Sequence, residues 1–394
     1  MNRDLAIDAT RGLAIWSMIS AHFAFGTLIE APTHSFPYVD GMSAFVLLSG
    51  LMLGLVYRRW IERFSLGYAY WRLTKRLVVL YLCQLTIALV AVAAAVEGHR
   101  WLTLLLPIDG WSHGLRLVLT MDYIPSGGNI LLLYMLLMAS AFALFPLLRL
   151  GWWLPILGAS LALYVFSQVA SPDWFYLSAY MQTPRIQNWA GWQLMFIPAV
   201  VVGWNWEIWR ITEFVDRWLV AIIGVAVAVG VVLHFTFQDG PLKALEPGVA
   251  DKLEFGWARG VAAWVVIPAV YGLFRVLLRW WHRDWFRPLV MTGSRSLDSY
   301  VLQAIALVLI PIHVAHRPWS LVTTTAVTLM VFALCWLWAE FRRAMRIDKL
   351  HRLPVIVYRR VVRRPVTPEP EPLDDLPTPP AAPTHPEPQL APTH

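Results

Sequence analysis

A chain of 394 residues with 58% hydrophobic and only 14% charged side chains is not an ordinary soluble domain, where those shares run near ~45–50% and ~25%. The net charge of +7 is weak evidence for nucleic acid, because its placement along the chain speaks first to membrane topology. Two cysteines, Cys83 and Cys335, both inside apolar runs, exclude a disulfide framework and a cysteine-built metal site.

Apolar runs near the ~20 residues that a helix needs to cross a bilayer recur along the chain. Ten are predicted, at roughly 8–29, 41–58, 77–96, 129–148, 152–170, 191–209, 217–236, 257–278, 292–313 and 320–340. Tryptophans beside their ends, including Trp152, Trp153, Trp280 and Trp281, fit an aromatic belt at the interface. The expected fold is therefore all-α, a polytopic transmembrane helical bundle.

The first run, "IDATRGLAIWSMISAH" (7–22), carries three ionisable residues, Asp8, Arg11 and His22. It lacks the small-residue cleavage pattern of a signal peptide, so a retained span is expected. From Arg11 to His22 is close to three helical turns, which puts both side chains on one face about ~16 Å apart. Asp8, three residues before Arg11, joins the same stripe. Asp8 and Arg11 have a plain use as an ion pair near the headgroups. His22, well inside the run, cannot snorkel, and an ionisable group there usually faces a cavity or reaction site.

Loop 30–40, "EAPTHSFPYVD", is neutral to acidic, whereas 58–76, "RRWIERFSLGYAYWRLTKR", is strongly basic. The same alternation separates 237–256 from the basic "RVLLRWWHRDWFR" (275–287) and from "EFRRAMRIDKLHR" after the last run. Ten spans with both termini in the cytoplasm satisfy it. Ser49 and Gly50, ending "LLSG" in mid-span, are expected to permit close helix packing. Between the third and fourth runs, "GLRLVLTM" (114–121) is too short to span and reads as interfacial or re-entrant. "DYIPSGGN" (122–129) is turn-rich and is a candidate to shape an acceptor pocket, with Asp122 able to orient His22.

Arg295 and Asp298 are expected to hold the start of the ninth run, with a donor contact as the alternative; His313 and His316 read as interface residues. From about 365 the chain is dominated by Pro, Ala, Thr and acidic residues, too apolar-poor to fold, so a disordered cytoplasmic tail is expected. The chain thus divides into a membrane domain, 1–345, and a basic then Pro-rich tail, 346–394. No clustered metal-ligand set appears in the predicted outer loops, and no phosphate-cradling glycine loop is present.

A neutral imidazole at the far end of the stripe suits taking a proton from a hydroxyl. An arginine at the near end suits bidentate binding of phosphate or carboxylate. An acyl donor with a phosphorylated head and a slim arm, as in acyl-coenzyme A, meets both. The rival from another class is a transporter or flippase of a sugar- or lipid-linked solute, with Arg11 on an anionic headgroup; the missing internal repeat counts against it.

These residues resemble the OpgC-like branch of the acyltransferase-3 superfamily, typified by the membrane succinyltransferase of osmoregulated periplasmic glucans. The likeness starts in the first run and continues through "DGMSAFVLLSGLMLGLVYRR" (40–59), "NILLLYMLLMASAFALFPLL" (129–148), "NWAGWQLMFIPAVVVGW" (188–204) and "TGSRSLDSYVLQA" (292–304). It implies a ten-span enzyme of the bacterial inner membrane. That enzyme takes an acyl group, succinyl or acetyl, from cytoplasmic acyl-CoA and places it on an extracytoplasmic glycan or lipid-linked sugar. Arg11 and His22 correspond to the family's arginine–histidine pair, and Arg72 and Arg76 to a basic cluster assigned to the donor. The superfamily's tryptophan- and glutamate-bearing motif near the fourth span is not recognisable here, which leaves Asn129 and Tyr134 as the polar candidates.

Overall fold

The structure is a computed structural model that describes residues 4–99, 105–125, 127–180, 185–313 and 320–345. His316 and the expected tail lie outside the described residues. In chain order the helices are α1 (Leu5–Phe23), α2 (Ala31–His34), α3 (Gly41–Arg63), α4 (Leu66–Ala94) and α5 (Gly110–Thr120). They continue with α6 (Asn129–Ala139), α7 (Ala141–Arg149), α8 (Trp153–Val169), α9 (Trp189–Trp204) and α10 (Ile211–Leu233). The last are α11 (Glu246–Val249), α12 (Trp257–Trp280), α13 (Arg287–Ser294), α14 (Ser296–His313) and α15 (Leu321–Ala344). A two-stranded antiparallel ribbon, β1 (Tyr176–Ser178) with β2 (Arg185–Asn188), lies between α8 and α9.

Each of the ten predicted runs holds helix. Among the described residues, six helical segments are long and apolar enough to cross a membrane, and a seventh forms if α13 and α14, bent by 80°, count as one. The protein is an all-α membrane bundle. α8 and α9 are shorter apolar helices. α1 stands apart because its own Asp8, Arg11 and His22 dilute its hydropathy.

One sequence expectation needs correcting. The basic stretch 58–76 is not a loop: α3 runs to Arg63 and α4 starts at Leu66. Ser65 caps the new helix by accepting from Tyr68 N at 3.1 Å. The cations lie across rings, Arg72 at 4.7 Å from the Trp60 centroid and Lys75 at 3.6 Å from that of Trp71. The run 129–148 is one span, Asn129–Arg149, with a local irregularity at Ser140, whose hydroxyl donates back to the Leu137 carbonyl at 2.6 Å.

Burial inverts the usual order of polarity. Asp8 on α1 is only 4% exposed, and Ile15 and Ile19 are fully covered. α10 and α15, by contrast, present apolar side chains such as Val220 (85%) and Val322 (78%) outward, as lipid-facing helices do. Glycines allow the inner packing. A Cβ at Gly12 would overlap the Leu289 carbonyl of α13, and one at Gly293 the Asp8 carbonyl of α1. Gly50 on α3 likewise meets the Phe196 carbonyl of α9, so "LLSG" serves packing as expected.

Ion pairs and hydrogen bonds tie the helix ends together. Asp4 caps α1 through Ala6 N (2.9 Å) and accepts from Tyr271 of α12 at 2.7 Å. Arg275 of α12 stands 3.6 Å from Asp4 and clasps Asp216 of α10 with two bonds of 2.7 Å. At the same kind of end, Arg58 of α3 donates to the Trp204 carbonyl of α9 at 2.7 Å. Asp4→Ala removes a cap and strands Tyr271, so it is expected to lower stability by about 1–3 kcal/mol. Thermal melts of the purified variant beside wild type check this.

Candidate functional site

Where α1 ends, the structure holds a cavity of about 810 Å³. Ser17, Met18 and His22 of α1 form one side of it, and Met42 and Asn129 face it from the starts of α3 and α6. The segment after α1 supplies Glu30, His34 and Asp40, and the approach to α12 supplies Lys252 and Arg259. The rim is charged, and the floor near Met18 and Met42 is not.

The rim is tied together by hydrogen bonds. Glu30 is buried, accepts from Gly26 N at 2.6 Å and stands 3.8 Å from His34 Nδ1. The same His34 nitrogen is 3.1 Å from Thr33 Oγ1, which lies 3.4 Å from Ser20 Oγ on α1. Asp40 caps α3 by accepting from Ser43 N and Oγ, both at 2.9 Å. Its other oxygen takes Lys252 Nζ at 2.8 Å and Arg259 Nη1 at 3.5 Å. Arg259 also donates to the carbonyls of Ala250 (2.6 Å) and Tyr38 (3.3 Å).

Burial opposes the charged form of Asp40, but Lys252, Arg259 and the Ser43 bonds outweigh it and hold the carboxyl well below its usual range. Burial first, then the bond to Glu246, pushes the Tyr38 phenol up to about 12. Because the folded Asp40 is the stronger acid, its clamp contributes fully above the unfolded carboxyl's value of 3.8 and fades as pH falls below it. Asp40→Asn is therefore expected to flatten the fall of melting temperature on acidification below about pH 5. Melts at stepped pH, variant against wild type, measure it.

The predicted residues are distributed unevenly. His22 and Asn129 meet at the cavity. Arg11 is partly buried on α1, and the cavity's lining begins on that helix at Ser17, above it. At the level of Arg11 the backbone of α13 closes on Gly12. Asp8 is buried beneath the same helix. Tyr134 packs edge-on between Phe45 and Phe196, each at 6.0 Å, in the core. Asp122 is exposed and accepts from Thr120 Oγ1 at 2.6 Å. Arg72 and Arg76 ride on α4, and neither lines the cavity.

Glu30, His34, Asp40, Lys252 and Arg259 were not anticipated as site residues. A signal existed in "EAPTHSFPYVD", where Glu30, His34 and Asp40 crowd into one short loop, but their acidity was read only as the mark of an outer loop.

An apolar helical bundle whose first helix carries Asp8, Arg11 and His22, is largely buried and ends at a charged cavity defines a polytopic membrane protein with an internal polar site. Residues 3–347 match the family model described as OpgC protein, and the chain belongs to the OpgC family. Membership gives it a membrane acyltransferase-type role in glucan modification. Searches among curated proteins and among solved structures give no match.

Proposed function

We propose that the protein moves an acyl group, succinyl or acetyl, from cytoplasmic acyl-CoA to a hydroxyl of an extracytoplasmic glycan or lipid-linked sugar. In this scheme the bundle crosses the bacterial inner membrane ten times with both ends in the cytoplasm. His22 sits at the outer cavity and acts as general base. It takes the sugar hydroxyl's proton while the oxygen attacks the thioester carbonyl. The carbon–sulfur bond then breaks, and the proton passes from the imidazole to the departing thiolate.

Arg11, with Arg72 and Arg76, holds the donor's phosphates by charge-assisted hydrogen bonds at the cytoplasmic half. Asp8 balances Arg11. Asn129 presents an amide to the acceptor within the cavity, and Asp122 and Tyr134 support the acceptor side from the turn and helix that flank Asn129. The carrying observation is that His22, on an otherwise buried helix, lines a cavity of about 810 Å³ with charged walls.

The 80° bend between α13 and α14 is the feature that a transporter of sugar-linked solutes would also use. Mass spectrometry of a glucan incubated with purified protein and isotope-labelled succinyl- or acetyl-CoA separates the two. A labelled ester on the glucan is expected. Well-folded protein that transfers label from neither donor, yet exchanges glycan across vesicles, overturns the enzyme in favour of the transporter.

A further inference from the structure

Around the His22 cavity, four side chains carry polar atoms without a hydrogen-bond partner among the described residues. They are Ser17 Oγ, Gln187 Oε1, Gln303 Oε1 and both amide atoms of Gln84. Each residue is more than nine-tenths buried, and they come from α1, β2, α14 and α4. Ser17 faces the cavity directly. The Gln303 amide nitrogen reaches Met18 Sδ at 3.8 Å, and that of Gln187 reaches Met42 Sδ at 3.2 Å. Both methionines line the cavity floor. The Gln84 amide lies against Gly128, next to the lining Asn129.

Interiors seldom keep such groups, because a buried amide oxygen without a donor is costly and a thioether is a weak acceptor. Four of them around one floor point to a ligand that completes them. The groups are uncharged: three amide oxygens seeking donors, one amide nitrogen seeking an acceptor, and a hydroxyl. A chain of secondary amides, each with one N–H and one C=O, is their complement. Met18 and Met42, unbranched and pliable, line the cavity and each touch one of these amides.

We propose that Ser17, Gln84, Gln187 and Gln303 form a subsite at the His22 cavity for the amide-bearing arm of the acyl donor, with Met18 and Met42 as its pliable wall. This rests on the acyl-CoA reading above and adds the residues that read the donor's arm.

The test is titration of the full-length purified protein with coenzyme A and with 3′-phosphoadenosine 5′-diphosphate, the donor's head without its arm. Wild type is expected to bind coenzyme A more tightly than the head. Gln303→Leu and Gln187→Leu are each expected to weaken coenzyme A about tenfold, the scale of one lost hydrogen bond, and to leave the head's affinity unchanged. Both variants are also expected to melt higher than wild type without ligand, since each removes an unpaired amide. A merely structural role would lower that melting point.

Variants that bind coenzyme A as wild type does, their amides being met by water only, overturn the proposal. So does equal weakening of coenzyme A and head, or a loss confined to the glycan. Wild type that binds neither probe overturns the donor reading along with this one, a result distinct from retained binding with no change on substitution.

Discussion

His22→Gln is expected to reduce glucan acylation by about 10²–10⁴-fold, the usual worth of a positioned general base, while the protein inserts and melts as wild type does. Glutamine keeps most of the volume and a hydrogen-bonding end but cannot accept a proton near neutral pH. His22 is only half-buried at the cavity wall, so the exchange opens no void in the core. Labelled ester on the glucan, measured against protein amount and melting temperature, is the readout. Wild-type rates in a well-folded variant would remove the imidazole from the mechanism. His34→Gln provides the internal comparison: it lines the same cavity beside Glu30, and its loss should cost far less than that of His22 if His22 is the base.

Gly293→Val is expected to be the most destabilising single exchange at the α1–α13 seam. A Cβ there falls inside the Asp8 carbonyl, and its neighbour across the seam, Gly12, is blocked in the same way by Leu289. The obstacle is backbone on both sides, so no side chain can swing aside, and α13 must lift away from α1. Overpacking of that kind typically costs about 1–3 kcal/mol and sometimes more, and here it also displaces the bend leading into α14. Lower melting temperature with loss of acylation is expected. Gly158→Ala on α8, where nothing lies within 4 Å, is the matched control and should behave as wild type. Equal melting of the two variants would mean that the seam is not tightly packed.

The membrane class and the positions of the helices were legible because hydropathy is a local property, and every predicted run contains helix. The polar first helix was legible for the same reason: three ionisable residues in one apolar run are a conspicuous cost. The join of α3 and α4 was not, because the arginines and lysine that suggested a loop are accommodated on helix by Trp60 and Trp71.

The cavity was legible only at His22 and Asn129. Its other walls come from segments around 30–40 and 246–259, which meet only after α1, α3 and α12 have packed. The close packing of α1 at the level of Arg11 was not legible for a similar reason. Gly12 reads as a small residue in sequence, but its use, admitting the α13 backbone at that level, depends on a helix near the other end of the chain.

That long separation bears on how the protein is made. The ribosome delivers α1 first, the segment with the weakest claim on lipid, and its tightest neighbour, α13, among the last. During most of synthesis the buried carboxylate and guanidinium of α1 must be sheltered by something other than their final surroundings, whether an insertase or the bilayer edge. A chain arrested before residue 287 would leave that first segment ungripped and exposed to quality-control proteolysis, whatever the integrity of the helices between.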